Sequence, residues 1–152
     1  MSNVVQLKAA GAPAKLHRVS FTLVNATGEP IQIIKEQCAQ QGWFKLDMGE
    51  HSSVTAFCPC VCSADKLAAS CPACGGCAPD VVETIAPNER ATVEWDGQFY
   101  YTYPSRCTAR YTYPPGLSLR GKLCWRKVGE TDERCTAVGW MHDDTSVSAT
   151  AE

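Results

Sequence analysis

The sequence predicts an all-β domain, an antiparallel β-sandwich of about seven to nine short strands that carries one cysteine-rich loop containing a short helix. Three observations lead there. Apolar and polar residues alternate in short runs, as in Val19, Phe21 and Leu23 against Arg18, Ser20 and Thr22, which is the two-residue period of a half-buried strand. Turn residues recur at intervals of roughly 8 to 12 positions, the spacing of sandwich strands. No amphipathic stretch reaches a useful helical length, which removes α/β architectures.

Bulk properties narrow the class further. A chain of 152 residues has single-domain length and buries about two thirds of the surface its unfolded form exposes. The formal charge is −2 and the cations are scattered, so there is no electrostatic footprint for nucleic acid. No run approaches the roughly 18 apolar residues of a membrane span. Met1 to Leu16 lacks the basic start and continuous apolar stretch of an export signal. The ten cysteines point the other way, since an even, closely spaced set suits an oxidising, extracytoplasmic setting such as the periplasm, the cell surface or the secreted space. An extracellular or membrane-proximal assembly would be consistent with that setting.

Taken in order, residues 1–16 have no sustained period and read as a flexible arm. A single sandwich domain follows over 17–142, with 58–77 as a cysteine-rich insertion, and the polar residues 143–152 read as a disordered tail. Val19 to Leu23 and Ile31 to Ile33 flank a Gly28/Pro30 turn and are expected to pair as a hairpin. Ala39 to Gly42 reads as a loop. Trp43 to Met48 puts Phe44, Leu46 and Met48 on one face, Ser53 to Phe57 starts extended, and Val81 to Ile85 is a weaker strand. Ala91 to Tyr103 reads as a second hairpin around Asp96-Gly97, a dipeptide favoured where both central residues need positive φ. Cys107 to Tyr113 is a strand ended by Pro114-Pro115-Gly116. A last hairpin sets Leu117, Leu119, Leu123 and Trp125 against Cys135 to Trp140, with Lys127 to Arg134 as its charged tip. This order, and above all the closing run of Pro-Pro-Gly, apolar strand, hairpin and final strand, resembles small immunoglobulin-like extracytoplasmic domains.

Six cysteines crowd into 58–77: Cys58, Cys60 and Cys62, then Cys71, Cys74 and Cys77. If Val54 to Cys62 is extended, the first three share a face with Cα atoms about 6.6 Å apart. Parallel neighbours on one strand do not converge as a disulfide requires, so their partners are expected in the second group. Ser63 to Ser70, with Ser63 as N-cap and Asp65 in the first turn, reads as a short helix between the groups. A folded-back loop would bring Cys58 or Cys60 to the second group.

Two chemistries fit this segment. In one, disulfides fasten the loop. The other cysteines support that reading, because Cys124 and Cys135 lie on opposite arms of the last hairpin, leaving Cys38 and Cys107 as a further pair. In the other, thiolates hold a metal. Cys71-Pro72-Ala73-Cys74-Gly75 resembles the knuckle of rubredoxins and zinc ribbons, which implies that Cys71 and Cys74 form half of a tetrahedral Cys₄ site. The mixture of Cys-x-Cys and Cys-x-x-Cys spacings is similar to metallothionein clusters, which implies zinc or copper ligation by some of Cys58, Cys60, Cys62, Cys71, Cys74 and Cys77. Redox chemistry at Cys71 and Cys74 lacks the helix start that lowers a thiol pKa.

No nucleophile-and-base motif, phosphate loop or cofactor fingerprint is readable, and His17, His51 and His142 are isolated. Phe99, Tyr100, Tyr101, Tyr103, Tyr111 and Tyr113 crowd two strands, and Tyr100, Tyr111 and Tyr113 are candidates for an exposed binding surface. The expected function is therefore a non-enzymatic, cofactor-free, disulfide-stabilised extracytoplasmic module, structural or protein-binding, that presents the cysteine-rich loop. A metal-binding domain, zinc before copper, is the alternative.

Overall fold

The computed structural model describes residues 8–9, 18–36, 42–113, 117–141 and 143–152. The regular elements among them are all strands, in chain order β1 (Lys8–Ala9), β2 (Val19–Asn25), β3 (Ile31–Glu36), β4 (Phe44–Leu46) and β5 (Ser52–Ser53). The cysteine-rich segment holds β6 (Val61–Cys62) and β7 (Ala69–Ser70). Then come β8 (Val81–Ile85), β9 (Arg90–Trp95), β10 (Gln98–Thr102) and β11 (Thr108–Thr112). The chain closes with β12 (Ser118–Lys127), β13 (Arg134–Met141) and β14 (Ser146–Ala151).

The expected β-sandwich is what forms. One sheet runs β14-β2-β9, a second runs β13-β12-β3-β8 with β4 also on β12, and a third runs β1-β11-β10-β5. Among the described residues every pair is antiparallel except β2 with β14. Alternation drives the layering: Val19, Phe21, Leu23 and Asn25 of β2 are buried while the residues between them are half-buried. Against them pack Ile31, Ile33, Leu119, Leu123 and the aromatic group of Phe44, Trp95 and Trp140. Phe21 stacks on Phe44 at 4.3 Å between ring centroids and meets Trp140 edge-on at 4.7 Å. Gly121 lets β4 and β12 close up, because a Cβ there would stand 2.6 Å from the carbonyl oxygen of Lys45.

Strand positions are mostly as expected, but two pairings are not. β2 and β3 do not form a hairpin; they belong to different sheets. The reason is buried Asn25, whose side-chain amide donates to the carbonyls of Glu29 at 2.7 Å and Ile85 at 3.0 Å. Its Oδ1 accepts from the backbone N–H of Thr27 at 3.0 Å. The 26–30 connection becomes a corner held by one side chain. Likewise β9 pairs with β2 while β10 pairs with β11 and β5. A type I′ turn needs positive φ at both central residues, and only Gly97, at φ +80°, has it. The Trp95 indole N–H donates to the Gln98 carbonyl at 2.7 Å, so the chain crosses here from one sheet to the next.

Two further expectations are corrected. The short helix over Ser63 to Ser70 does not form. Asp65 Oδ1 accepts from the Leu67 N–H at 3.0 Å and the Ser63 Oγ accepts from the Ala68 N–H at 3.1 Å, with Lys66 at φ +64°. These side-chain bonds offer the backbone a turn in place of a helix, and the turn joins β6 to β7. Nor are residues 143–152 a disordered tail, since Ser146–Ala151 forms β14 along β2 and Ala151 is fully buried. The last hairpin is as expected, with Cys124 directly opposite Cys135. Apart from β1, which pairs with β11, the arm 1–16 lies outside the described residues, as do Ala39 to Gln41, the Pro114-Pro115-Gly116 terminator, Cys38, His17 and His142.

Candidate functional site: the disulfide-closed loop

The cysteine-rich segment is a narrow antiparallel ladder. Residues 58–62 run against 69–74, with Val61 opposite Ser70 and Cys62 opposite Ala69 in the β6–β7 ribbon. Below the ribbon the ladder continues through covalent rungs: Cys60 bonds Cys71 with Cα atoms 4.1 Å apart, and Cys58 bonds Cys74 at 6.2 Å. Two of the expected links between the cysteine groups are therefore present. The long strand from Val54 is not: β5 ends at Ser53 and 54–60 run irregularly to β6, with Cys58 at φ +46°.

The third link differs from expectation. Cys62 bonds Cys107, Cα to Cα 4.8 Å, so Cys107 is not the partner of Cys38, which lies outside the described residues. This bond ties the ribbon to the turn between β10 and β11, and Cys107 is fully buried beneath it. Hydrogen bonds reinforce the seating: the Thr108 N–H donates to the Cys60 carbonyl at 2.8 Å, and Ser105 Oγ donates to the Lys66 carbonyl at 3.0 Å. Cys77 is disulfide-bonded as well. Outside the loop, Cys124 bonds Cys135 across the last hairpin.

The segment's surface is unusually apolar for exposed chain. Leu67 at the tip is 79% exposed, Val61 64% and Phe57 43%. Val81 and Val82 continue the series, so five of the seven exposed large apolar residues among those described fall between positions 57 and 82. Asp65 is the local carboxylate, held below the usual range by the Ser63 hydroxyl and then by the Leu67 N–H.

The tyrosines form a less open surface than expected. Tyr111 is buried and its hydroxyl bonds that of Tyr103. Burial, and then that bond, push its pKa up to about 12. Tyr113 is half-buried, with its ring near Trp95 at 6.2 Å and Phe99 at 5.6 Å, and burial raises its pKa too. Tyr100 is half-buried on β10. Tyr111 therefore belongs to the core. His51 sits edge-on to Tyr101 at 6.2 Å.

As potential metal ligands the loop cysteines are committed elsewhere: Cys58, Cys60, Cys62, Cys71, Cys74 and Cys77 all carry disulfides and would have to be reduced to offer thiolates. Among the described residues, one group of three ligating side chains converges, Cys124, Glu133 and Cys135. Its two sulfurs are bonded to each other. No helix among the described residues is long and apolar enough to cross a membrane.

Fold and site together define a class, the disulfide-stabilised β module. No protein-family model, no curated protein and no solved structure matches the chain.

Proposed function

We propose that the protein is a non-enzymatic, extracytoplasmic binding module that presents the 58–77 loop, rigid and largely apolar, to a protein partner. The observation that carries this is the exposure of Phe57, Val61 and Leu67 on a segment closed by Cys58–Cys74 and Cys60–Cys71 and fastened by Cys62–Cys107. Large apolar side chains held in water along one short segment offer surface that a partner can cover. Covalent closure removes most of the ordering cost that a free loop of this length would add to binding. The disulfides spread over loop and framework, four of them with both partners described and a further one at Cys77, also suit an oxidising compartment.

A photo-crosslinking amino acid at position 67, introduced into the protein in its native host, should give a discrete covalent adduct with one partner. The same group at position 92, an exposed Thr92 on β9, should give none. Equal labelling from both positions, or none from 57, 61 and 67, would remove the loop from the binding surface.

A further inference from the structure

We propose that β8 is a docking edge to which an extended, basic segment of a partner protein adds as an antiparallel or parallel strand. The inference rests on the protein-binding reading above and names a second contact within it. β8 ends the five-stranded sheet and, among the described residues, pairs with β3 alone. Its other edge presents backbone N–H and C=O groups as a template for a further strand.

Side-chain exposure separates β8 from an ordinary protected edge. Val81 and Val82 are successive and so point to opposite faces, yet they are 45% and 40% exposed. Both faces of the sheet are thus uncovered at this end, and Ile85 is the one buried residue of the strand. Edge strands are usually blunted by lysine, proline or a bulge. β8 itself carries no cation and no proline, and the bulge in this pair falls on β3, between Ile34 and Glu36.

Charge decides between occupants. Asp80 immediately precedes the strand and Glu83 lies within it. Lys35 of β3 pairs with Glu83 at 3.5 Å, so Asp80 is the acidic group at this edge with no ion pair among the described residues. A second copy is the poorer fit, because the antiparallel register that sets Val81 beside Val82 also sets Asp80 against Glu83, and like charges directly opposite destabilise a pair. The matching strand places two successive β-branched or other apolar residues across from Val81 and Val82, one on each face, with lysine or arginine next to them toward Asp80.

The test is panning of a random twelve-residue peptide display library on the full, oxidised chain. Enriched peptides should carry two successive β-branched or other apolar residues flanked by lysine or arginine, and should slow hydrogen exchange at amides of 81–85. They should bind the Val81→Lys/Val82→Lys variant at least tenfold more weakly, while Leu67→Asp leaves their affinity unchanged. Both valines are exposed, so the variant should keep the wild-type circular dichroism. The proposal fails if nothing enriches over a bait-free control, if acidic peptides enrich equally, if Val81→Lys/Val82→Lys has no effect, or if the free chain dimerises through β8. Loss of the position-67 crosslink with peptide binding intact would instead count against the loop and leave this edge standing.

Discussion

Replacing Cys62 and Cys107 together by serine should lower the free energy of unfolding by about 4 kcal/mol, the largest effect expected of any single cross-link described. The bond spans 45 residues. Cys60–Cys71 and Cys124–Cys135 each span 11 and Cys58–Cys74 spans 16. On the chain-entropy account, those shorter loops contribute about 3 kcal/mol each against about 4 for the longer one. A second consequence separates this bond from the others. With Cys58–Cys74 and Cys60–Cys71 intact, the ladder keeps its shape but loses its covalent tie to the β10–β11 turn. The remaining hydrogen bonds at Thr108 and Ser105 are two in number. Urea unfolding should therefore show a lower midpoint with a similar slope. Hydrogen exchange should show faster opening at 60–70 and 104–108, with the β2 and β12 amides still protected once global stability is matched. An unchanged midpoint would mean that the bond leaves stability unaffected.

Phe21→Ala should cost about 4 kcal/mol, within the range for removing a buried phenylalanine. Phe21 is fully buried and bridges two sheets through Phe44 and Trp140. β2, β4 and β13 all lose a partner at once, and their strand geometry leaves little freedom to collapse into the cavity. Against a typical total of about 5 to 15 kcal/mol, that loss should drop the thermal midpoint steeply. It should do so without changing the disulfide pattern seen by peptide mapping. A loss below about 1 kcal/mol would show that the aromatic group is not the centre of the core.

The parts of this fold legible in the sequence are those governed by short-range alternation. Val19 to Leu23, Phe44 to Leu46 and the Leu119 to Trp125 arm declare both strand and buried face, and Cys124 with Cys135 declares its own pairing. Which strand joins which sheet was not legible. Asn25 and the Trp95–Gln98 bond turn the chain between sheets through single side-chain contacts to residues distant in sequence or to one carbonyl, and neither contact has a local pattern. β14 is not legible because Val147, Ala149 and Ala151 alternate with small polar residues that also suit a loose tail.

The loop shows the same division. That Cys58 and Cys60 reach the second cysteine group follows from geometry, since neighbours on one segment do not converge. That Cys62 leaves the group for Cys107 depends on where the ribbon sits on β11, a tertiary fact. The helix expected at Ser63 to Ser70 failed because the residues that cap helices, serine and aspartate, close turns equally well. The apolar exposure of Phe57, Val61 and Leu67 could not be seen in advance, because outside regular strands no period tells an outward side chain from an inward one.

Intact mass after alkylation without reductant, together with elemental analysis of the same sample, tests most directly the claim that the loop is a covalently closed recognition element. The account predicts no alkylated thiol and no stoichiometric zinc or copper. Four or more alkylatable thiols, released by a chelator along with one of those metals, would contradict it and establish the loop as a thiolate site.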